Sequence, residues 1–232
     1  MNKVLVIIPA YNEENCIVST VREVENLCFD YIVINDHSKD HTLDVLRRNS
    51  IEYLNNPINL GIGGTIQTGY IYAFEKGYEY AVQIDGDGQH KPEYIVEMLN
   101  YMEESQCDMV IGSRFITNEG FQSTYLRRKG IKYLSFLIKI LTKRHITDPT
   151  SGFRMVNRKI LECFMHDYPR DYPEPETAVA VLKKGYKIGD VPVVMLEREH
   201  GKSSINFQRS VYYFVKVSLA ILFAAWSYRE EE

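Results

Sequence analysis

"KVLVIIPAYNEENCIVSTVREVENLCFDYIVIN", residues 3–35, decides the fold class. Its first run, "KVLVII", is apolar without alternation, as in a strand covered on both faces. A helical stretch follows from Glu13 to about Cys28, and "YIVIN" (31–35) is a second apolar run. Two such runs joined by a helix form a βαβ unit with parallel strands. The alternation continues outward. A short helix is expected from His41 to about Asn49, then "IEYL" (51–54), a glycine-rich turn and a helix near Thr65 to Lys76. "YAVQI" (80–84) precedes a helix starting around Pro92, a favoured first-turn residue, and "DMVIGS" (108–113) is the next strand. The order predicts an α/β fold: a mostly parallel central sheet with helices on both faces.

The chain has 232 residues, 45% hydrophobic and 25% charged, which is enough for a sizeable core. A net charge of −4 gives no global attraction to nucleic acid, and none is expected as a partner. The four cysteines form no CxxC pair, which fits a reducing cytosol rather than a disulfide or zinc framework. "MNKVLVIIPAYNEE" has too short an apolar run for a secretory signal, and Val4 to Ile8 reads as a buried strand.

In parallel sheets, ligands sit beyond the carboxyl ends of the strands. Polar residues gather there: Tyr11, Asn12 and Glu13 after the first strand, Asp36, His37 and Ser38 after the second, Asp85, Asp87 and Gln89 after the fourth, Ser113 and Arg114 after the fifth. Read alone, Asp85-Gly86-Asp87 is equally a turn. Several carboxylates on one rim point instead to a site. Two carboxylates one residue apart can hold a divalent cation, which Mg²⁺ completes with substrate phosphates and water. "NLGIGGTIQTG" (59–69) loosely matches a dinucleotide fingerprint, but Ile66 stands where the third glycine belongs and the stretch follows the third strand. Its glycines are expected to let a helix N-terminus approach a ligand or another backbone.

Residues 124–145, "TYLRRKGIKYLSFLIKILTKRH", carry seven basic residues among apolar ones. They read either as a basic amphipathic helix for a membrane surface or as a core helix with a solvated basic face. Toward the C-terminus, Val217 to Tyr228 is a charge-free run of 12 residues, short of the ~20 that span a bilayer. With Tyr212, Tyr213, Trp226 and Tyr228 it suits an interfacial or partner-packed helix, or one that closes the core.

"VIIPAYNEE", "VINDHSKDHT", "NLGIGGTIQTG", "VQIDGDGQHKPE", "GSRF", "DPTSGFRMVNR" and "REHGKSS" occur in this order from Val4 to about Ser204. Together they resemble the family-2 inverting glycosyltransferases of the GT-A fold, in the branch of polyprenyl-phosphate glycosyltransferases such as dolichyl-phosphate mannosyltransferase. The resemblance implies a catalytic domain over 1–206 and a membrane-interface or partner-binding helix over 207–232. It implies that Pro9, Tyr11 and Glu13 flank the base and ribose of a nucleotide sugar, with Asp36 at the base edge and Gly64, Arg198 and Lys202 also on the donor. Asp85, Asp87 and Gln89 would hold Mg²⁺ or Mn²⁺. Arg114, Arg127 and Arg128 would face phosphate, with Ser203 on the acceptor side. Asp148 would line the sugar pocket with Ser151 and Arg154 nearby, and Glu176 would be a base or sugar contact. Asp87, Asp148, Glu176 and Arg114 are the candidate catalytic residues. Two departures stand out: Ile62 replaces a frequent basic residue, and the membrane-spanning helices of many relatives have no counterpart in this sequence.

Plainer readings also exist: a helix-dipole acid for Glu13, a turn for Asp148, a rigid loop for "YPEPE" (172–176), and surface or hydrogen-bonding histidines for His37 and His200. The implied reaction is one in-line displacement that moves a hexose or N-acetylhexosamine from a nucleotide sugar, UDP favoured over GDP, to polyprenyl phosphate. A phosphate monoester, with a second pKa of about 6, needs positioning more than deprotonation. A glycan hydroxyl acceptor would need a carboxylate base, Glu176 or Asp148. A non-catalytic nucleotide-sugar-binding protein is the remaining alternative. The expected location is peripheral, on the cytoplasmic face of a membrane, with a small membrane-spanning partner or a homo-oligomer as further expectations.

Overall fold

The computed structural model describes residues 3–122, 124–197 and 207–227. The elements run β1 (Val4–Ala10), α1 (Ile17–Asn26), β2 (Asp30–Asn35), α2 (Thr42–Arg48), β3 (Tyr53–Asn55), α3 (Gly61–Glu75), β4 (Tyr80–Gln83), α4 (Tyr94–Ser105) and β5 (Met109–Ser113). Then come α5 (Tyr125–Thr142), β6 (Arg154–Asn157), α6 (Arg158–His166), α7 (Pro173–Lys183), β7 (Ile188–Pro192) and α8 (Phe207–Ser227).

One seven-stranded sheet has the order β3-β2-β1-β4-β6-β5-β7. β6 pairs antiparallel with both β4 and β5, and the other pairings are parallel. The mostly parallel sheet is therefore as expected, with β6 reversed in its middle. All seven residues of β1 are buried, and its side chains divide between the two faces. Leu5 and Ile7 join a cluster with Ile66 and Tyr70 of α3 and Ile221 of α8. Val4, Val6 and Ile8 join another with Ile17 and Val21 of α1 and Met98 of α4. Helices on both faces exclude water from the whole strand, which is why it reads as a continuous apolar run.

Two helices begin elsewhere than expected. α3 starts at Gly61, ahead of Thr65, because the Asp36 carboxylate accepts from the Leu60 and Gly61 N–H groups at 2.8 and 3.0 Å and caps the helix. α1 starts at Ile17 rather than Glu13. Strands β6 and β7 had no expectation. β6 is four residues long, and β7, "IGDVP", combines glycine, aspartate and proline at a sheet edge.

α8 lies against α7 and α5. Val217, Ile221, Ala224 and Ala225 enter the core, and the Phe214 ring occupies the space where a Cβ on Gly130 of α5 would stand. Its other side exposes Tyr212, Val215, Leu219, Phe223 and Trp226. No helix among the described residues is long and apolar enough to cross a membrane.

Candidate active site

The order of β1 and β4 creates a topological switch point. The chain steps outward from β1 to β3 and then returns to the other side of β1 as β4. The loops after β1 and β4 therefore leave the sheet side by side, and both lead to helices on the same face, α1 and α4, while α3 crosses the other face. The two loops touch there: a Cβ on Gly86 would stand 3.0 Å from the Pro9 carbonyl oxygen.

On the β1 side, Pro9 is buried, Tyr11 is exposed and Glu13 is half-buried. The loops after β1 and β2 are cross-linked. The Asn12 N–H donates to Ser38 Oγ at 3.0 Å, Lys39 N–H to Asn12 Oδ1 at 2.8 Å and Glu13 N–H to Thr42 Oγ1 at 2.9 Å. Asp36 is buried. Besides capping α3, its carboxylate accepts from Asn56 Nδ2 at 3.0 Å. Its neighbour His37 has a left-handed backbone, φ +57°.

On the β4 side, Asp87 is 5% exposed and folds over its own turn, with Oδ1 accepting the Gln89 N–H at 3.0 Å. Gly88 supplies the required positive φ of 75°. Gln89 is anchored through its amide nitrogen, which donates to the Leu196 carbonyl at 3.1 Å, and the Leu196 N–H donates back to the Gln89 carbonyl. An amide held by its nitrogen presents its oxygen elsewhere. Asp85, at 36% side-chain exposure, is the more open carboxylate. Its N–H donates to Nδ1 of the buried His90 at 3.0 Å. No three His, Cys, Asp or Glu side chains converge on a metal position among the described residues. Asp85, Asp87 and the Gln89 amide oxygen would offer oxygen donors alone, a chemistry that suits a hard divalent cation only with substrate oxygens and water completing the shell.

Reversal of β6 brings the segment before it, "DPTSGF", to the same rim. A Cβ on Gly152 would lie 3.4 Å from Asp85 Oδ1. Asp148, fully buried, clamps Arg114: Nε donates to Oδ2 at 2.6 Å and Nη2 to Oδ1 at 2.9 Å. Burial disfavours the Arg114 charge, and the Asp148 carboxylate outweighs it and raises the guanidinium pKa. Both Asp148 oxygens are thus engaged by a cation. Arg154 is also buried, yet it donates to the carbonyls of Pro149, Ser151 and Glu174 and to Thr177 Oγ1. It ties the segment to the start of α7.

Glu174 belongs to this cluster. Burial pushes its carboxyl above the usual carboxylate range; Arg154 and Arg127 lower it, and Asp85 adds to the rise. Glu176 stands apart. It lines clefts with Phe164 and Asp167 on one side and Arg170, Tyr172 and Lys216 on the other, and no strand-end residue lines either. Arg127 and Arg128 are exposed in the first turn of α5, which Thr124 caps by accepting the Arg127 N–H. Arg127 acts on Glu174 and on Tyr213 of α8. Gly64 lies in the first turn of α3 over the Leu60 side chain. Gly63 donates its N–H to the Arg170 carbonyl at 3.1 Å, and a Cβ there would meet the Pro169 oxygen at 2.0 Å. That glycine therefore admits another backbone. Arg198, Lys202 and Ser203 lie outside the described residues.

Sequence reasoning missed His90 and Glu174. The signal for His90 was its place in "DGDGQH", at the end of the acidic turn.

The family model described as Glycosyl transferase family 2 matches residues 5–165. The chain is a family 2 glycosyltransferase. Among curated relatives of this glycosyltransferase, the UDP-N-acetylglucosamine–dolichyl-phosphate N-acetylglucosaminyltransferase of Methanococcus voltae is 30% identical over 218 residues, covering 85% of this chain and 87% of that protein. The undecaprenyl-phosphate mannosyltransferase of Micrococcus luteus is 28% identical over 215 residues, covering 88% of each. Among solved structures, glucosyl-3-phosphoglycerate synthase from Mycobacterium tuberculosis, in complex with Mn²⁺, UDP and phosphoglyceric acid, superposes with a TM-score of 0.73 at 16% identity. It covers 96% of this glycosyltransferase and 78% of the synthase, and places the chain in the GT-A fold.

Proposed function

We propose that this glycosyltransferase moves a hexose or N-acetylhexosamine from a nucleotide sugar, UDP favoured, to the phosphate of a polyprenyl phosphate. The observation that carries the reading is the similarity to lipid-phosphate sugar transferases, which covers 85% and 88% of the chain. The acceptor phosphate oxygen attacks the anomeric carbon while the bond from that carbon to the nucleoside diphosphate breaks on the opposite face, so configuration inverts. A divalent cation held by Asp85, Asp87 and Gln89 would neutralise charge on the leaving diphosphate. Pro9, Tyr11, Glu13 and Asp36 would bound the nucleoside, Gly64 would border the donor, and Arg198 and Lys202 would close over it. Arg127, Arg128 and Ser203 would orient the acceptor phosphate. Arg114, oriented by Asp148, would face phosphate.

A phosphate nucleophile is already ionised near neutral pH, so no base is assigned on this reading. A glycan hydroxyl acceptor is the second reading, and the raised carboxyl of Glu174 favours it. Glu174 would then be the base, since Asp148 is committed to Arg114.

The enzyme would work peripherally at the cytoplasmic face of a membrane, where its lipid acceptor lies, alone or with a membrane-spanning partner or a second copy. Support comes from the exposed side of α8 and from α5, whose segment 124–145 has seven basic and no acidic residues. Incubation with labelled UDP- and GDP-sugars, with polyprenyl phosphate or a soluble glycan, tests the reading. Label in a lipid-extractable, mild-acid-labile product is expected. Label only in the glycan overturns the lipid acceptor.

A further inference from the structure

We propose that His90 is a positioning residue that sets the orientation of Asp85; this rests on the reading of Asp85 as a donor-side ligand. His90 is 3% exposed and meets Asp85 at two points. Its Nδ1 accepts the Asp85 N–H at 3.0 Å. That nitrogen therefore carries no proton in this bond, which leaves the ring proton to Nε2. Nε2 lies 3.8 Å from Asp85 Oδ2, so the ring turns a positive edge toward the carboxylate. One face of the imidazole stacks on Phe153, with centroids 5.0 Å apart and planes 23° from parallel.

Phe153 itself is fully buried, which fixes the ring that carries His90. Its chain neighbour Gly152 closes the other side of the Asp85 carboxylate, near Oδ1. Asp85 is thus held between an imidazole edge at one oxygen and a backbone at the other. A phenyl ring at position 90 would reproduce the stacking, but it would leave the Asp85 N–H without its acceptor and Oδ2 without its positive edge. Outer-layer partners of this kind orient the ligand and typically contribute about 10–100-fold to metal affinity.

The test measures Mn²⁺ binding to the full chain in the presence of UDP, by electron paramagnetic resonance of free Mn²⁺, for wild type, His90→Phe, His90→Asn and Asp85→Asn. Thermal melting runs in parallel. Expected is a folded His90→Phe protein that binds Mn²⁺ about 10–100-fold more weakly. His90→Asn, which offers an oxygen near the position of Nδ1, should recover part of the loss. His90→Phe binding as tightly as wild type, while Asp85→Asn binds weakly, overturns the role of His90 and leaves the donor site standing. Wild-type affinity in Asp85→Asn overturns both. If His90→Phe unfolds, His90→Asn is compared with His90→Gln: affinity kept by Asn alone supports the proposal, and equal affinities overturn it.

Discussion

Glu174 and Glu176 stand two positions apart in the first turn of α7, and their carboxyls meet different surroundings. Positions two apart on a helix diverge by about 200°. Glu174 consequently faces Arg154, Asp85 and Arg127, while Glu176 faces Asp167. Burial raises both carboxyls above the ordinary value of 4.5. The sign of the linkage follows: a carboxyl raised in the folded state favours folding below its unfolded pKa, and that contribution is lost as pH rises through its folded pKa. Glu174→Gln should therefore melt like wild type near pH 4 and above it at pH 7 to 8, with a gap that widens between. A constant gap would exclude ionisation as the cause. Asp87 makes a sharper functional test. Asp87→Ala should reduce transfer by at least about a hundredfold, as should excess chelator, because charge stabilisation at the leaving group is usually the largest catalytic contribution. Its melting temperature should change little, since Asp87 stands at a strand end, where its Oδ1 accepts the Gln89 N–H of its own turn. Full turnover in either case would remove the cation from the proposal.

Two glycines of α3 show how an element carries the site without touching a ligand. Gly69 sits against Ile7 of β1, and an added Cβ would lie 2.3 Å from Ile7 Cγ2. Gly63 sits under the backbone of Pro169 and Arg170. Gly69→Ala should cost about 1–3 kcal/mol through overpacking, measured by urea denaturation, with ligand affinity retained. Gly63→Ala should cost at least as much, because a backbone cannot rotate aside as a side chain can. On the glycan-acceptor reading it should also weaken acceptor kinetics, since the loop it displaces leads into α7 and Glu174. The sequence made these glycines legible as points of close approach but could not name what approached, because the partners, Ile7 for Gly69 and Pro169 with Arg170 for Gly63, are distant in the chain. Buried strands β1, β2, β4 and β5 were legible from unbroken apolar runs. β6 was not: four residues starting at Arg154 give no period, and the arginine is buried only because carbonyls and Thr177 surround its guanidinium. His90 was hidden for a related reason, since its partner is a backbone N–H and carries no sequence signal.

On the scale of the whole molecule, α8 has two apolar faces with different work. The inner face uses Val217, Ile221, Ala224 and Ala225, side chains small enough for close helix packing. The outer face uses Leu219, Phe223 and Trp226, at 52%, 64% and 68% exposure. The double variant Leu219→Ser, Phe223→Ser should lose binding to anionic vesicles in a flotation assay while keeping its melting temperature and its affinity for UDP. Unchanged flotation would remove α8 from the membrane contact.

The reversed strand also dictates an order of assembly. β6 lies between β4 and β5 and bonds to both, although it is made after both. A nascent chain that ends at Ser113 can build β3-β2-β1-β4, but β4 then has an open edge, and β5 has no neighbour to join it to that half. Open edges invite pairing with other chains until they are filled. The wedge arrives with "DPTSGFRMVN", so insertion joins the two halves and delivers Asp148, Gly152 and Phe153 to the rim in the same event. Contacts of such long range make closure slow relative to local helix formation. Refolding followed by pulsed hydrogen exchange should show amides of β1 and β2 protected before those shared by β4, β6 and β5. Donor affinity should appear with the later group, so the chain becomes competent to bind only once its sheet is whole.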